Sequence, residues 1–205
     1  MTNIKIIVFD LYNTLIEIKE SNHFFFKLYK TSQNGFDLDL SSYFKLVMKN
    51  DINELKNILP IEFSKLYNEK KNDLEKELNS IIIYEEVFNV LEDLKKNFRI
   101  FLISNLASPY KKPVFLNNLD FFFEKMIFSC DFGSLKPDQI VFKEIEKITG
   151  SKPNEILMVG DSFKSDILGA QNMKWNYLKI NRHISTSKKH EITTLKDIKQ
   201  HITIY

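Results

Sequence analysis

The sequence predicts an α/β fold: a Rossmann-like parallel-sheet core, layered α/β/α, with an inserted α-helical segment. Three observations predict it. Short apolar, β-rich runs alternate with amphipathic helical patterns. One stretch near the N-terminus breaks that alternation with helical patterns alone. Polar side chains gather where the apolar runs end. Strands alternating with helices build a parallel sheet covered on both faces.

The strand pattern begins at Ile4–Phe9, an apolar run interrupted only by Lys5, as in a buried parallel strand. Phe98–Ile103, Lys125–Phe128 and Glu155–Val159 repeat it, and Tyr177–Ile180 is a weaker fifth run. Between them, Val87–Lys96 puts Val87, Val90, Leu91 and Leu94 on one helix face. Ile140–Ile148 is expected to do the same with Ile140, Phe142, Ile145 and Ile148, and Asp138 to cap that helix. Ser165–Met173 and Thr194–Ile202 read as further helices, and Arg182–His190 as a polar loop.

Residues 17–81 contain no convincing strand pattern. Amphipathic stretches fall at Ser21–Thr31, Ser41–Lys49, Ile52–Leu59 and Glu62–Leu78, punctuated by Asn34-Gly35 and Pro60. The expected division is therefore a core of residues 1–16 and 82–205, with a helical insert at 17–81. Phe24, Phe25 and Phe26 are expected to pack inside the helical bundle.

Composition narrows the function classes. A chain of 205 residues, 43% hydrophobic and 27% charged, is ordinary for a globular domain. A formal net charge of +2, with Arg99 and Arg182 the only arginines, argues against a dedicated nucleic-acid binder. No apolar run approaches the roughly 20 residues of a membrane span. The run before Asp10 reads as a strand and not as a signal peptide. Cys130 is the single cysteine, so no internal disulfide can form. A cytoplasmic protein acting on a small molecule is the expectation; monomer and homodimer stay equally open. His23, His183, His190 and His201 show no metal-ligand spacing, Trp175 reads as a packing residue, Phe121–Phe123 as core or an interface, and Cys130 has no neighbouring base.

Ligands of open α/β sheets bind at the carboxyl ends of the strands. The first run ends in Asp10-Leu11-Tyr12-Asn13-Thr14, and the second in Ser104-Asn105. Gly133-Ser134-Leu135-Lys136-Pro137 follows the third, and the fourth ends in Gly160-Asp161-Ser162, with Asp166 shortly after. A carboxylate can act as nucleophile and form an aspartyl-phosphate. A phosphate dianion meeting Asp10, Asp161 and Asp166 needs more positive charge than Lys136 supplies. A set of oxygen ligands suits Mg²⁺. Ser104 can donate to a phosphoryl oxygen. Asn105 can touch substrate or brace its loop.

Together these positions resemble the four motifs of the haloacid dehalogenase (HAD) superfamily: Val8–Leu15, Ile103-Ser104-Asn105, Lys136-Pro137-Asp138, and Val159–Asp166 running on to Gly169-Ala170. The resemblance spans nearly the whole chain. It implies that the helical insert is a cap that selects substrate. It also implies that Asp10 is the nucleophile and a metal ligand, and that Tyr12 offers its backbone carbonyl to the metal. Asp161 and Asp166 would complete the metal site, while Ser104 and Lys136 would bind phosphate and orient Asp10.

One position departs from the phosphatase pattern. Where those enzymes carry a second aspartate as general acid and base, this chain has Tyr12. A phenol, with an ordinary pKa of about 10, is a poor base near neutrality. A phosphatase favouring good leaving groups, such as acyl or anomeric phosphates, is one reading. A 2-haloacid dehalogenase, whose halide leaves without a proton, is a second; Tyr12 resembles that motif, but Asp161 and the lack of any arginine before Arg99 oppose it. A weakly active HAD-fold binding module is a third.

Overall fold

The computed structural model describes residues 3–182 and 189–202. Its centre is a six-stranded, all-parallel sheet. The strands are β1 (Ile6–Phe9), β4 (Arg99–Ser104), β5 (Lys125–Phe128), β6 (Ile156–Gly160), β7 (Asn176–Ile180) and β8 (Glu191–Ile192). They lie in the order β5-β4-β1-β6-β7-β8. The two-residue β8 is too short to read as a pattern in the sequence.

Every side chain of β1 is buried, and alternate residues serve opposite layers. Ile7 and Phe9 join one apolar cluster with Leu157, Val159 and the residues Val87, Leu91 and Leu94 of α5 (Val87–Leu94). Ile6 and Val8 join the other, with Ile156, Met158 and side chains of α8 (Gln139–Thr149). This is the three-layer arrangement that unbroken apolar strands require. In α8 the buried side chains are Val141, Phe142 and Ile145; Ile148 is partly buried and Ile140 is 60% exposed. Phe142, Ile145 and Ile148 thus lie on the expected face, while Ile140, in the first turn, is exposed and Val141 is buried in addition. Asp138 does precede α8, but its side chain makes no cap bond and instead accepts the Ser134 hydroxyl at 2.9 Å.

The stretch after β6 starts as a π-helical turn, Phe163–Ile167, and continues as α9 (Leu168–Asn172). Gly169 is needed there because any side chain would overlap the Phe142 ring. The expected helix near the C-terminus is a 3₁₀ turn at Leu195–Asp197 followed by α10 (Ile198–His201). Part of the expected 182–190 loop, including His183, lies outside the described residues.

Between β1 and α5 the chain forms α1 (Phe24–Thr31), α2 (Leu40–Lys49), α3 (Ile52–Ile58) and α4 (Ile61–Asn79). Asp39 and Asp51 cap α2 and α3 by accepting backbone N–H groups of Ser42 and Asn53. Phe24, Phe25, Tyr43, Phe63 and Tyr67 pack into a third apolar cluster that also takes in Ala107 of the core. The buried Tyr43 hydroxyl is satisfied by the Phe25 carbonyl at 3.1 Å. Phe26 alone of its trio is exposed, at 38%.

The expectation that this segment lacks strands needs correction at its two ends. β2 (Ile16–Ile18) and β3 (Ile81–Ile83) pair antiparallel, with Ile16 opposite Ile83. Three-residue runs are too short for periodicity to reveal, and their partners are distant in sequence. The ribbon ties both ends of the helical segment to the tip of β1.

The α8 geometry makes a stability contrast. Phe142→Ala, emptying a wholly buried ring site, is expected to cost about 3–5 kcal/mol. Ile140→Ala is expected to stay within about 0.5 kcal/mol. Urea denaturation midpoints check both; equal costs would contradict the assigned face.

Candidate active site

The chain runs from β1 toward one edge of the sheet and from the adjacent β6 toward the other, so the carboxyl ends of β1 and β6 form the topological switch point. Asp10 is the first residue beyond that end. In register, Phe9 lies beside Leu102 of β4 and Val159 of β6, which brings Ser104 and Asp161 to the tips flanking Asp10. The chain then turns tightly: Leu15 and Ile16 both donate their N–H to the Leu11 carbonyl, and Asn13 takes a left-handed conformation with φ 57°. Asparagine tolerates that region better than most residues. The turn points the Thr14 hydroxyl at Asp10 Oδ2, 3.5 Å away, and the Asn13 amide at Asp161 Oδ2, 3.3 Å away.

Lys136 arrives from the loop after β5 and is 3% exposed. Its ammonium meets Asp10 Oδ1 at 2.5 Å, Asp166 Oδ1 at 2.7 Å and the Ile103 carbonyl at 2.8 Å. Those three contacts use all three of its protons. Asn105 holds the loop in place by accepting the Lys136 N–H and donating to the Lys136 carbonyl, both at 2.8 Å. One N–H and the oxygen of its amide thus brace Lys136. Asp166 is wholly buried; its other oxygen accepts the Ser162 N–H at 3.0 Å. Gly160 permits this, since a side chain there would overlap the Asp166 carboxylate. Ser104 is buried, and its hydroxyl makes no hydrogen bond among the described residues.

Ligand atoms of Asp10, Asp161 and Asp166 lie within 4.8 Å of one another. The electrostatics reflect that crowding. Burial, opposed by Lys136 and assisted by the charges of Asp166 and Asp161, pushes the Asp10 carboxyl up to about 7. Burial and Asp166 also raise Asp161. Burial disfavours the Lys136 ammonium, but Asp10 and Asp166 outweigh it and hold its pKa above the ordinary lysine range. The site carries more negative charge than its one ammonium neutralises, and three carboxylates with oxygen donors fit a hard divalent cation.

Tyr12 faces away from this cluster. Its hydroxyl donates to the Tyr110 carbonyl at 2.9 Å, and the two rings meet edge-on at 6.0 Å between centroids. Burial, then the charge of Glu77, drives its pKa well above the ordinary phenol range. Tyr12 also lines a cavity of about 330 Å³ between the helical segment and the core, with Phe25, Phe44, Val47, Met48 and Leu106 among the other walls.

Sequence reasoning missed several residues that hold this arrangement. Glu77 is buried, accepts the N–H groups of Asn22 and Phe24, and takes the Tyr110 hydroxyl at 3.0 Å. A signal existed: Glu77 lies on the same face of α4 as the buried Leu74 and Leu78. Arg182 stacks on Tyr84 at 3.4 Å, pairs with Glu86 at 2.8 Å and donates to the Thr14 carbonyl. Only its rarity in the chain could have drawn notice. Cys130 is buried, and burial, aided by Asp131, pushes its thiol up to about 12, which disfavours the reactive thiolate.

A parallel sheet with a carboxylate, a buried lysine and two further carboxylates at its switch point defines a hydrolase class. The sequence model of the haloacid dehalogenase-like hydrolase family matches residues 4–174, and the chain belongs to that family. It is 30% identical over 122 residues to the glyceraldehyde 3-phosphate phosphatase of Methanothermobacter thermautotrophicus, a match covering 55% of this chain and 54% of that one. The chain thus spans about half the length of that relative. It is 28% identical to the phosphoglycolate phosphatase of Aquifex aeolicus, over 94% of this chain and 97% of that one. Among solved structures, a HAD family enzyme of Bacteroides thetaiotaomicron in complex with magnesium and inorganic phosphate superposes with a TM-score of 0.68, at 19% identity, covering 90% and 98% of the two chains. The 2-haloacid dehalogenase of Pseudomonas syringae reaches 0.64, at 21% identity, covering 96% and 97%. At such identities the structures share the fold alone.

The charge crowding has a pH signature in metal-free buffer. A carboxyl whose folded pKa is raised binds its proton more tightly when folded. Its stabilising contribution is complete below the unfolded value near 4 and is lost as pH rises through about 7. Asp10→Asn, which carries no charge, is expected to gain in Tm over the parent protein as pH goes from 5 to 8 in EDTA. A gap that stays constant across that range would contradict the account.

Proposed function

We propose that this protein is a Mg²⁺-dependent phosphatase of small phosphate esters, acting through an aspartyl-phosphate at Asp10. The observation that carries the proposal is the close group of Asp10, Asp161 and Asp166 around one saturated lysine. The names of the two phosphatase relatives support the same reaction class.

Asp10, Asp161 and the Tyr12 carbonyl would hold the Mg²⁺. Asp166, whose oxygens already serve Lys136, Ser165 and Ser162, suits a supporting place behind them. When bound, the cation supplies the positive charge that lets a phosphate dianion approach three carboxylates. The Lys136 ammonium and the Thr14 hydroxyl fix the Asp10 carboxylate from both oxygens. Ser104 has its hydroxyl available for a phosphoryl oxygen. A carboxylate oxygen of Asp10 attacks phosphorus, and the bond to the ester oxygen breaks, with the electron pair leaving on that oxygen. Water then cleaves the acyl phosphate, releasing orthophosphate and restoring Asp10. The helical segment serves as the cap that excludes bulk water during these steps.

Proton supply sets the preference among substrates. Tyr12 spends its hydrogen on the Tyr110 carbonyl, and its raised pKa makes it a poor acid or base. Loss of a general acid–base group typically costs about 10²–10⁴-fold. Esters whose leaving oxygen is stable as an anion avoid most of that cost.

Tyr12 also favours a second reading, a 2-haloacid dehalogenase, in which no leaving-group proton is needed. Asp161 opposes it, because that carboxylate would repel a haloacid's own carboxylate.

A series of phosphate esters with graded leaving-group pKa is the test. With Mg²⁺, kcat/KM is expected to fall steeply as leaving-group pKa rises, and turnover is expected to vanish in EDTA and in Asp10→Asn. A flat series would remove the argument from Tyr12. Chloride release from 2-chloropropionate without any phosphatase activity would replace the proposal with the second reading.

A further inference from the structure

Beside the carboxylate cluster lies the cavity of about 330 Å³ between core and helical segment. Two of its wall residues stand next to the site in the chain: Tyr12, two residues from Asp10, and Asn105, next to Ser104. Its other walls are mainly aromatic and aliphatic, drawn from α1, α2 and the segment after β4. Among the described residues no lysine or arginine lines it; Glu77 is its one carboxylate, and the His23 ring, held by the Ser21 hydroxyl at 3.2 Å, is its one basic group. Both Glu77 oxygens are engaged, by the Tyr110 hydroxyl and by two backbone N–H groups, so the carboxylate is held in place and adds negative charge to the wall.

We infer that the site takes a phosphate compound whose leaving portion is uncharged and apolar, of about the size of a substituted aromatic ring. This rests on the phosphatase reading of the same site and names its substrate class. Two physical arguments support it. A second anionic group, such as a carboxylate or another phosphate, would meet the fixed negative charge of Glu77 and no lysine or arginine, with the Ser21-bound His23 ring as its only basic neighbour, and would lose water for little return. An apolar group gains from leaving water against these walls, and an apolar cavity of roughly 150 Å³ already holds a benzene ring. The cavity here leaves room for ring substituents and lies at the low end of ordinary ligand pockets, which begin near about 300 Å³. The Tyr12 substitution belongs to the same design: a side chain that replaces a carboxylate builds part of the apolar wall.

The test separates binding from turnover. Benzylphosphonate and methylphosphonate present the same phosphoryl oxygens and cannot be hydrolysed. With Mg²⁺, calorimetry is expected to show benzylphosphonate binding at least about tenfold more tightly, since apolar pockets discriminate on that scale. Met48→Lys, at a half-buried wall position, is expected to abolish that ratio. Should that variant misfold, the comparison on the unaltered protein still decides. Equal affinities, or tighter methylphosphonate binding, overturn the inference. Hydrolysis of acetyl phosphate is measured in parallel. Turnover with equal phosphonate affinities rejects the apolar substrate and keeps the phosphatase. A benzylphosphonate preference without turnover of any ester rejects the phosphatase reading, and with it the substrate class.

Discussion

The buried ammonium of Lys136 is the interaction on which the site depends. A lysine removed from water is costly unless its charge and its protons are met. Here Asp10 and Asp166 meet the charge, and the Ile103 carbonyl takes the remaining proton. Each partner comes from a different strand tip, so the contact fixes the relative positions of the loops after β1, β4, β5 and β6. The arrangement stores electrostatic tension as well. Two carboxylates share one ammonium while a third stands nearby, and burial, with the charges of Asp166 and Asp161 added, raises the Asp10 carboxyl. A site built to receive a divalent cation and a phosphate would carry such a surplus.

Around that contact the supporting bonds run outward in layers. Asn105 holds the Lys136 backbone, and the Ser162 N–H holds Asp166. Thr14 touches Asp10 by its hydroxyl while its carbonyl accepts from Arg182, which is itself pinned by Glu86 and Tyr84. Glu77 links the longest helix of the inserted segment to Tyr110 of the core, whose carbonyl in turn holds Tyr12. A separate run of contacts, through Glu77, Tyr110 and Tyr12, thus ties the helical segment to the turn that follows Asp10.

Much of this was legible in the sequence because it follows from short-range pattern. Buried parallel strands are unbroken apolar runs, so β1, β4, β5 and β6 stood out, and strand ends are where an α/β sheet presents its chemistry. Asp10, Ser104, Lys136, Asp161 and Asp166 were found as residues at those ends, and the structure brings them together. What stayed hidden depends on contacts between distant segments. The β2–β3 ribbon is made of two isoleucine-rich triplets whose meaning exists only in their pairing. Ile140 fits a helical face by spacing, yet it stays exposed in the folded chain. Glu77 and Arg182 each act through partners far away in the chain. The direction of the Tyr12 hydroxyl, which separates a proton donor from a wall of the cavity, is likewise a matter of tertiary structure.

The central claim is that Asp10 carries the phosphoryl group during turnover. The most direct measurement is to quench the protein during hydrolysis of acetyl phosphate with Mg²⁺, reduce with borohydride, and map the product by peptide mass spectrometry. An acyl phosphate at Asp10 would be found as homoserine at position 10, in the presence of Mg²⁺ and not in EDTA. Sustained turnover with an unmodified Asp10, or with the modification on another carboxylate, would contradict the account.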